Sequence, residues 1–345
     1  MIHGGDLETY KNKYNGNIID FSSNINPLGP PKGLKEEMDR AYFELCAYPD
    51  IYYRELRQNI AAYLKCDASQ VIVGSGALDI INNVSFMFKR IVVFTPCFSE
   101  YIKRPAVLGK DVAKLPLDEN FRIDTAKLAD NLRSGDLLIL GNPNNPTGLR
   151  IPEETLMRIY YAVVQSKAFL LLDEAFFEFC PESYDSVEVF KGSHDVCVIR
   201  AATKFFALPG IRLGYGFASS EFAKRYGNIE MPWSVNSYAN AAARCIFKDS
   251  DYIERTKEYI KKEREYIQDE LSEIKWIRAF KSDANFILLK LLEYDEDIVF
   301  ERLIKNGIMI RKASNFEGLD ASFIRIAVKD HKSNKKLIGL LKEFK

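Results

Sequence analysis

The sequence has no excess of either charge: 48 Lys and Arg stand against 48 Asp and Glu, so the formal net charge is zero. A general nucleic-acid or anionic-membrane binder would carry a basic excess, so neither partner is expected. Histidine and cysteine are sparse. His3, His194 and His331 are dispersed, as are Cys46, Cys66, Cys97, Cys180, Cys197 and Cys245, with no CxxC pair. That argues against a zinc finger, a disulfide scaffold or any metal centre. No stretch approaches the ~18 apolar residues of a membrane span, and the opening residues contain no apolar signal region. These absences predict a reduced, soluble, cytoplasmic protein. What remains is ordinary globular composition, 47% hydrophobic and 28% charged, with enough chain for a large core. A length of 345 residues suggests about two domains.

Short apolar runs alternate with helix-length segments through the middle of the chain. Strands are expected at Val71–Val73, Ile91–Phe94, Leu137–Leu140, Phe169–Leu172, Val196–Ile199 and Ile211–Gly216. This alternation predicts an α/β architecture with a mostly parallel sheet. A helix over Arg54–Cys66 places Leu56, Ile60, Tyr63 and Leu64 on one face. Beyond about residue 245 the pattern changes. A long amphipathic helix begins near Asp251. Strands follow at Trp276–Phe280, Asn285–Leu291, Ile308–Arg311 and Phe323–Val328, with helices at Glu296–Lys305 and Ser333–Phe344. The expected organisation is an arm over residues 1–45 that contributes to a small α+β domain, a large domain over 46–245, and the rest of the small domain over 246–345.

The residues after each strand carry the chemistry, because ligands of open α/β sheets sit beyond the carboxyl ends of the strands. The first strand leads into Gly74-Ser75-Gly76-Ala77-Leu78, which reads as an anion cradle opening a helix. It lacks the GK[ST] ending of a P-loop, which disfavours ATP. The second leads to Thr95-Pro96-Cys97-Phe98, and the third to Asn142-Pro143-Asn144-Asn145-Pro146-Thr147-Gly148. Read alone, Asn145 is a turn residue. Asp173, ending an apolar strand, is either a helix N-cap or a carboxylate that keeps a ring nitrogen protonated. Lys204 follows a buried-type strand and is flanked by Ala202, Phe205 and Phe206. Such desolvation lowers a lysine's proton affinity and suits it to bond a carbonyl.

Together these elements resemble the fold type I, pyridoxal-phosphate-dependent aminotransferases of class I/II, over essentially the whole chain. The resemblance implies a large domain with a mostly parallel seven-stranded sheet, and pyridoxal 5'-phosphate as cofactor. It assigns Lys204 to cofactor attachment and proton transfer, Asp173 to the pyridine nitrogen and Asn145 to the ring's 3-oxygen. Gly76, Ala77, Leu78, Thr203 and Arg212 would hold the phosphate, and Phe98 would stack on the ring. Tyr48 would reach the phosphate bound by a neighbouring subunit, implying a homodimer with shared sites. Arg325 and Arg311 would receive substrate anions.

Two branches share these features. The histidinol-phosphate aminotransferases share the Asn-x-Asn-Pro arm, the Tyr-Pro turn and the C-terminal arginines. The threonine-phosphate decarboxylases of cobalamin synthesis are similar in further blocks: His3-Gly4-Gly5, Asp20–Gly29, Asp173–Phe176, Thr203–Gly210, Met231–Asn236 and Asn315–Asp320. That closer likeness implies a small phosphorylated amino-acid or amino-alcohol substrate contacted by His3, Asn24, Arg311 and Arg325. The expected reaction is loss of CO₂ from L-threonine O-3-phosphate; the alternative is transamination of histidinol phosphate. Ala201 departs from the pattern. Relatives usually place a phosphate-binding hydroxyl there, so one hydrogen bond to the cofactor is expected to be missing.

Overall fold

The computed structural model describes residues 3–181 and 183–344. A two-residue strand, β1 (Ile19–Asp20), lies in the amino-terminal arm. It is followed by β2 (Val71–Ser75), β3 (Arg90–Thr95), β4 (Asp111–Pro116), β5 (Asp136–Gly141), β6 (Phe169–Asp173), β7 (Val196–Ala201) and β8 (Leu213–Ala218). The last seven form one sheet in the order β2-β8-β7-β6-β5-β3-β4. All run the same way except β8, which is antiparallel to β2 and β7.

Side chains alternate across this sheet, as strand geometry requires. Val71, Val73, Leu138, Leu170, Leu172 and Val198 join the core on one face. Ile72, Leu137, Ile139, Leu171, Cys197 and Ile199 join the core on the other. Both faces are covered, which is why β5, β6 and β7 read as unbroken apolar runs.

Downstream lie β9 (Ile277–Ala279), β10 (Phe286–Leu291), β11 (Ile308–Met309), β12 (Arg311–Lys312) and β13 (Phe323–Ala327). Four of them form an antiparallel sheet in the order β12-β13-β10-β9. The fifth, β11, pairs in parallel with β1, Ile19 opposite Ile308. The arm is therefore stitched to the carboxyl-terminal part of the chain. A 23-residue helix, Ser250–Ser272, begins where Asp249 accepts the backbone N–H of Tyr252.

Several expected elements shift. The strand Ile308–Arg311 is two strands in different sheets, divided at Ile310. The strand expected at Ile211 begins at Leu213, because Arg212 is left-handed at φ 60. The last helix spans His331–Lys342 rather than Ser333–Phe344, set by Asp330, whose carboxylate accepts the Ser333 N–H. The edge strand β4 was not anticipated. Among the described residues no helix is long and apolar enough to cross a membrane, and no cluster of His, Cys, Asp or Glu is placed to hold a metal ion.

Candidate active site

A cavity of about 260 Å³ opens where the sheet, the arm and β12 and β13 meet. Ala77, Leu78, Phe98, Asn145, Asp173, Thr203, Lys204 and Arg212 line it from the large sheet's loops, with Ala201 beside them. His3, Asn24, Arg311 and Arg325 line it from the two ends of the chain. Two expected residues do not line it. Gly76 sits immediately behind the rim. Tyr48 is 81% exposed and lies tilted against Trp233, with ring centroids 4.8 Å apart.

The large-sheet side is built on tight backbone approaches. A ten-residue helix starts at Ala77, directing its unpaired N–H groups and positive end toward the cavity. Gly76 has φ +84, and a Cβ there would lie 2.4 Å from Arg212 Nη2. Glycine suits that backbone conformation and leaves room for the guanidinium, which also donates to Ser75 O at 3.2 Å, beside the helix start.

Asp173, at the end of β6, is buried. Its Oδ2 accepts from Tyr101 Oη at 2.7 Å and its Oδ1 from the Ala175 N–H at 3.0 Å. Burial raises its pKa above the usual carboxylate value, and the two hydrogen bonds oppose that rise. Tyr101 was not singled out from sequence, although it lies three residues past Phe98 at the start of the Glu100–Val107 helix. The next residue, Glu174, serves the scaffold: it is buried and pairs with Arg200 at 2.9 Å.

Burial pushes the Lys204 amine down to about 8, and the nearby charges of Arg325 and Lys329 act the same way. The arm fixes the loop that carries it. Asn26 N–H donates to Lys204 O at 3.1 Å, and Asn26 Nδ2 donates to Phe205 O and Tyr252 Oη, both at 2.8 Å.

The side facing the chain ends is cationic. Arg325 Nη1 donates to Asn145 Oδ1 and Nη2 to Ser22 O, while its buried Nε has no partner. Burial, and then the neighbouring Arg311, lower Arg325 to about 9, and burial lowers Arg311 to about 10. Two desolvated guanidiniums side by side favour an anion between them. Asn24 is buried, and its Oδ1 is also without a partner.

His3 Nε2 lies 3.1 Å from Glu100 Oε1. Burial lowers the imidazole pKa, while Glu100 opposes this. The His-Gly-Gly start has a steric reason: a Cβ on Gly4 would sit 2.1 Å from Ser22 O. The Gly5 N–H donates to Ser22 Oγ at 2.8 Å. Glycine is what lets the segment lie flat on the arm and bring His3 to the cavity.

The pattern described as aminotransferase class I and II matches residues 16–341. The chain belongs to that family. A protein of Caldanaerobacter subterraneus subsp. tengcongensis, provisionally named threonine-phosphate decarboxylase, is 42% identical over 99% of this chain and 96% of its own. The threonine-phosphate decarboxylase of Salmonella typhimurium is 32% identical over 99% of this chain and 95% of its own. Among solved structures, the histidinol-phosphate aminotransferase from Clostridium acetobutylicum has a TM-score of 0.89 and 39% identity. It covers 93% of this chain and 97% of that one. Class I and II aminotransferases use pyridoxal 5'-phosphate.

The residues present suit that cofactor. Gly76 leaves no room for a Cβ between helix start and Arg212, as close approach to a phosphate requires. Asp173 is a buried carboxylate already held by two donors. Lys204 has a lowered proton affinity, and no hydrogen bond to its amine occurs among the described residues.

Proposed function

We propose that this enzyme releases CO₂ from L-threonine O-3-phosphate and leaves (R)-1-amino-2-propanol phosphate. The observation that carries the reading is the position of His3, which lines the same cavity as Asn24, Arg311, Arg325 and Lys204. A phosphate and a carboxylate on one small substrate need several donors on the wall opposite the lysine, and these residues supply them. The decarboxylase names of two relatives that match nearly the full chain support it.

In this reading Arg212 and the Ala77 and Leu78 amides would hold the cofactor phosphate, and Phe98 would pack against the ring. Asp173, held by Tyr101, would pair with the ring nitrogen, and Asn145 would serve the 3-oxygen. When bound, pyridoxal 5'-phosphate supplies a ring that accepts the electron pair left on Cα. Arg311, Arg325, His3 and Asn24 fix the substrate so that the bond from Cα to the carboxylate is the one broken. That bond breaks, CO₂ leaves, and Lys204 delivers a proton to Cα. A lysine that titrates near 8 can hold or release that proton close to neutral pH.

The alternative is transamination of histidinol phosphate, favoured by the likeness to the Clostridium acetobutylicum structure. The two differ in which Cα bond is presented for cleavage, so the test is direct. Purified holoenzyme given threonine phosphate should release CO₂ stoichiometrically with the amino alcohol phosphate. No CO₂, together with turnover of histidinol phosphate and 2-oxoglutarate, reverses the assignment.

We also propose a homodimer. Phe43, Tyr48, Tyr52 and Met231 are 79%, 81%, 64% and 72% exposed, and Tyr48 lies against the half-exposed Trp233. Large apolar side chains exposed in this number are suited to a cover, and a second copy would carry each Tyr48 toward the other's cavity. Sedimentation should give twice the chain mass, and a monomer at micromolar concentration would refute the shared site.

A further inference from the structure

A second cavity, of about 170 Å³, lies back to back with the active-site cavity. Two consecutive pairs define the partition. In Cys97-Phe98 and in Asn144-Asn145, the first residue lines the second cavity and the next lines the active site.

The walls of the second cavity are apolar, with Phe94, Leu117, Phe121, Ile139 and Leu149 among them. Two guanidinium groups line it, beside Asn144 and Thr155. Arg122 is exposed, so it stands at the mouth, and its side chain makes no hydrogen bond or ion pair among the described residues. Arg150 is only 9% exposed. Its Nη1 donates to Pro181 O and Ser183 Oγ at 3.2 and 3.0 Å and its Nη2 to Tyr184 O, but its buried Nε has no partner. A buried N–H without an acceptor is rare and costly, and points to a group that completes it. An apolar chamber with cationic donors at its edge fits an apolar body carrying one negative head. A cavity of ~150 Å³ lined by Leu, Ile and Phe accepts a benzene-sized molecule. The occupant is then a monocarboxylate of roughly six to nine non-hydrogen atoms.

The cavity also shares packing with a wall of the active site. Phe121 packs on Phe280 at 5.0 Å and on Phe323 at 6.4 Å. Phe323 shares a cluster with Phe316, and Phe316 lines the active-site cavity with the Arg311 guanidinium 5.0 Å from its ring. A molecule in the second cavity therefore presses on walls that the active site uses from its other side.

We propose that this second cavity is an effector site for a small apolar carboxylate, bound by Arg122 at its mouth and linked to occupancy of the active site. Linkage is reciprocal, so the affinity at one cavity must change with the state of the other. The probe is 4-methylpentanoate, titrated calorimetrically into holoenzyme and into enzyme stripped of cofactor. Expected are saturable binding, affinity at least tenfold weaker in Arg122→Gln and for 4-methylpentanamide, retention in Arg325→Gln, and at least a threefold difference between holoenzyme and apoenzyme. Absence of saturable binding overturns the proposal. So does indifference to Arg122→Gln, or loss in Arg325→Gln, which would put the carboxylate in the active site. Equal affinity in the two cofactor states overturns it as well. Arg122 is exposed and partnerless, so its replacement leaves folding intact, and the reading does not depend on which substrate the enzyme takes.

Discussion

The two walls of the active-site cavity differ in how fully their polar groups are partnered. On the large-sheet wall Asp173 has both oxygens bonded, Arg212 is tied to Ser75 and Asn145 accepts from Arg325. These groups come from loops within one continuous stretch of chain. On the opposite wall Arg325 Nε and Asn24 Oδ1 are buried without partners, and the residues come from both ends of the sequence. Leaving a buried polar group unpaired costs about 1–3 kcal/mol. On the first wall folding partners every one of these side chains and leaves the Lys204 amine without a hydrogen bond among the described residues, while the second keeps a buried donor at Arg325 that an anion satisfies and a buried acceptor at Asn24 that needs a donor.

Replacing Lys204 with Ala breaks the first wall and has the largest expected effect: turnover and the visible absorbance of lysine-bound cofactor both disappear. Retained turnover would contradict the assignment of Lys204. Arg325→Gln breaks the second wall and should separate the two. The absorbance band remains while kcat/KM falls by about 2–3 kcal/mol, or roughly 30- to 150-fold, mainly through KM. Loss of the band instead would mean that Arg325 serves the cofactor more than the substrate. The smallest effect sharpens the contrast by pH. Only the neutral amine attacks a carbonyl, and Lys204 is lowered from 10.5 to about 8. Cofactor capture by apoenzyme should therefore accelerate with rising pH up to about 8 and level off above it. Acceleration continuing toward 10.5 would show an undepressed lysine.

The sequence was most readable where one wall of a fold depends on contiguous residues. The central strands are buried on both faces and so appear as apolar runs, and each motif follows directly from the strand that aims it. The strand β4 escaped because it lies at the sheet edge. Asp111, Lys114 and Pro116 interrupt its apolar residues, and only Leu115 is buried. The start of β8 was misjudged because Ile211 continues the apolar pattern, whereas the left-handed Arg212 ends it. Tyr101 and Glu100 sit in a short helix whose composition suggests nothing special. Their roles arise from what lies across the cavity, Asp173 and His3 respectively. The second cavity was invisible for the same reason, since its walls are drawn from separate segments.

The pairing of β1 with β11 joins residues separated by almost the whole chain. During synthesis from the amino terminus, the arm emerges first but cannot dock until the strand at Ile308 exists. Closing so long a loop is slow. The loop that carries Lys204 is held by Asn26 of the same arm, so it reaches its final form only when the substrate-facing wall does. Assembly order then becomes a safeguard: the lysine is not set in place before the cationic wall that faces the substrate exists.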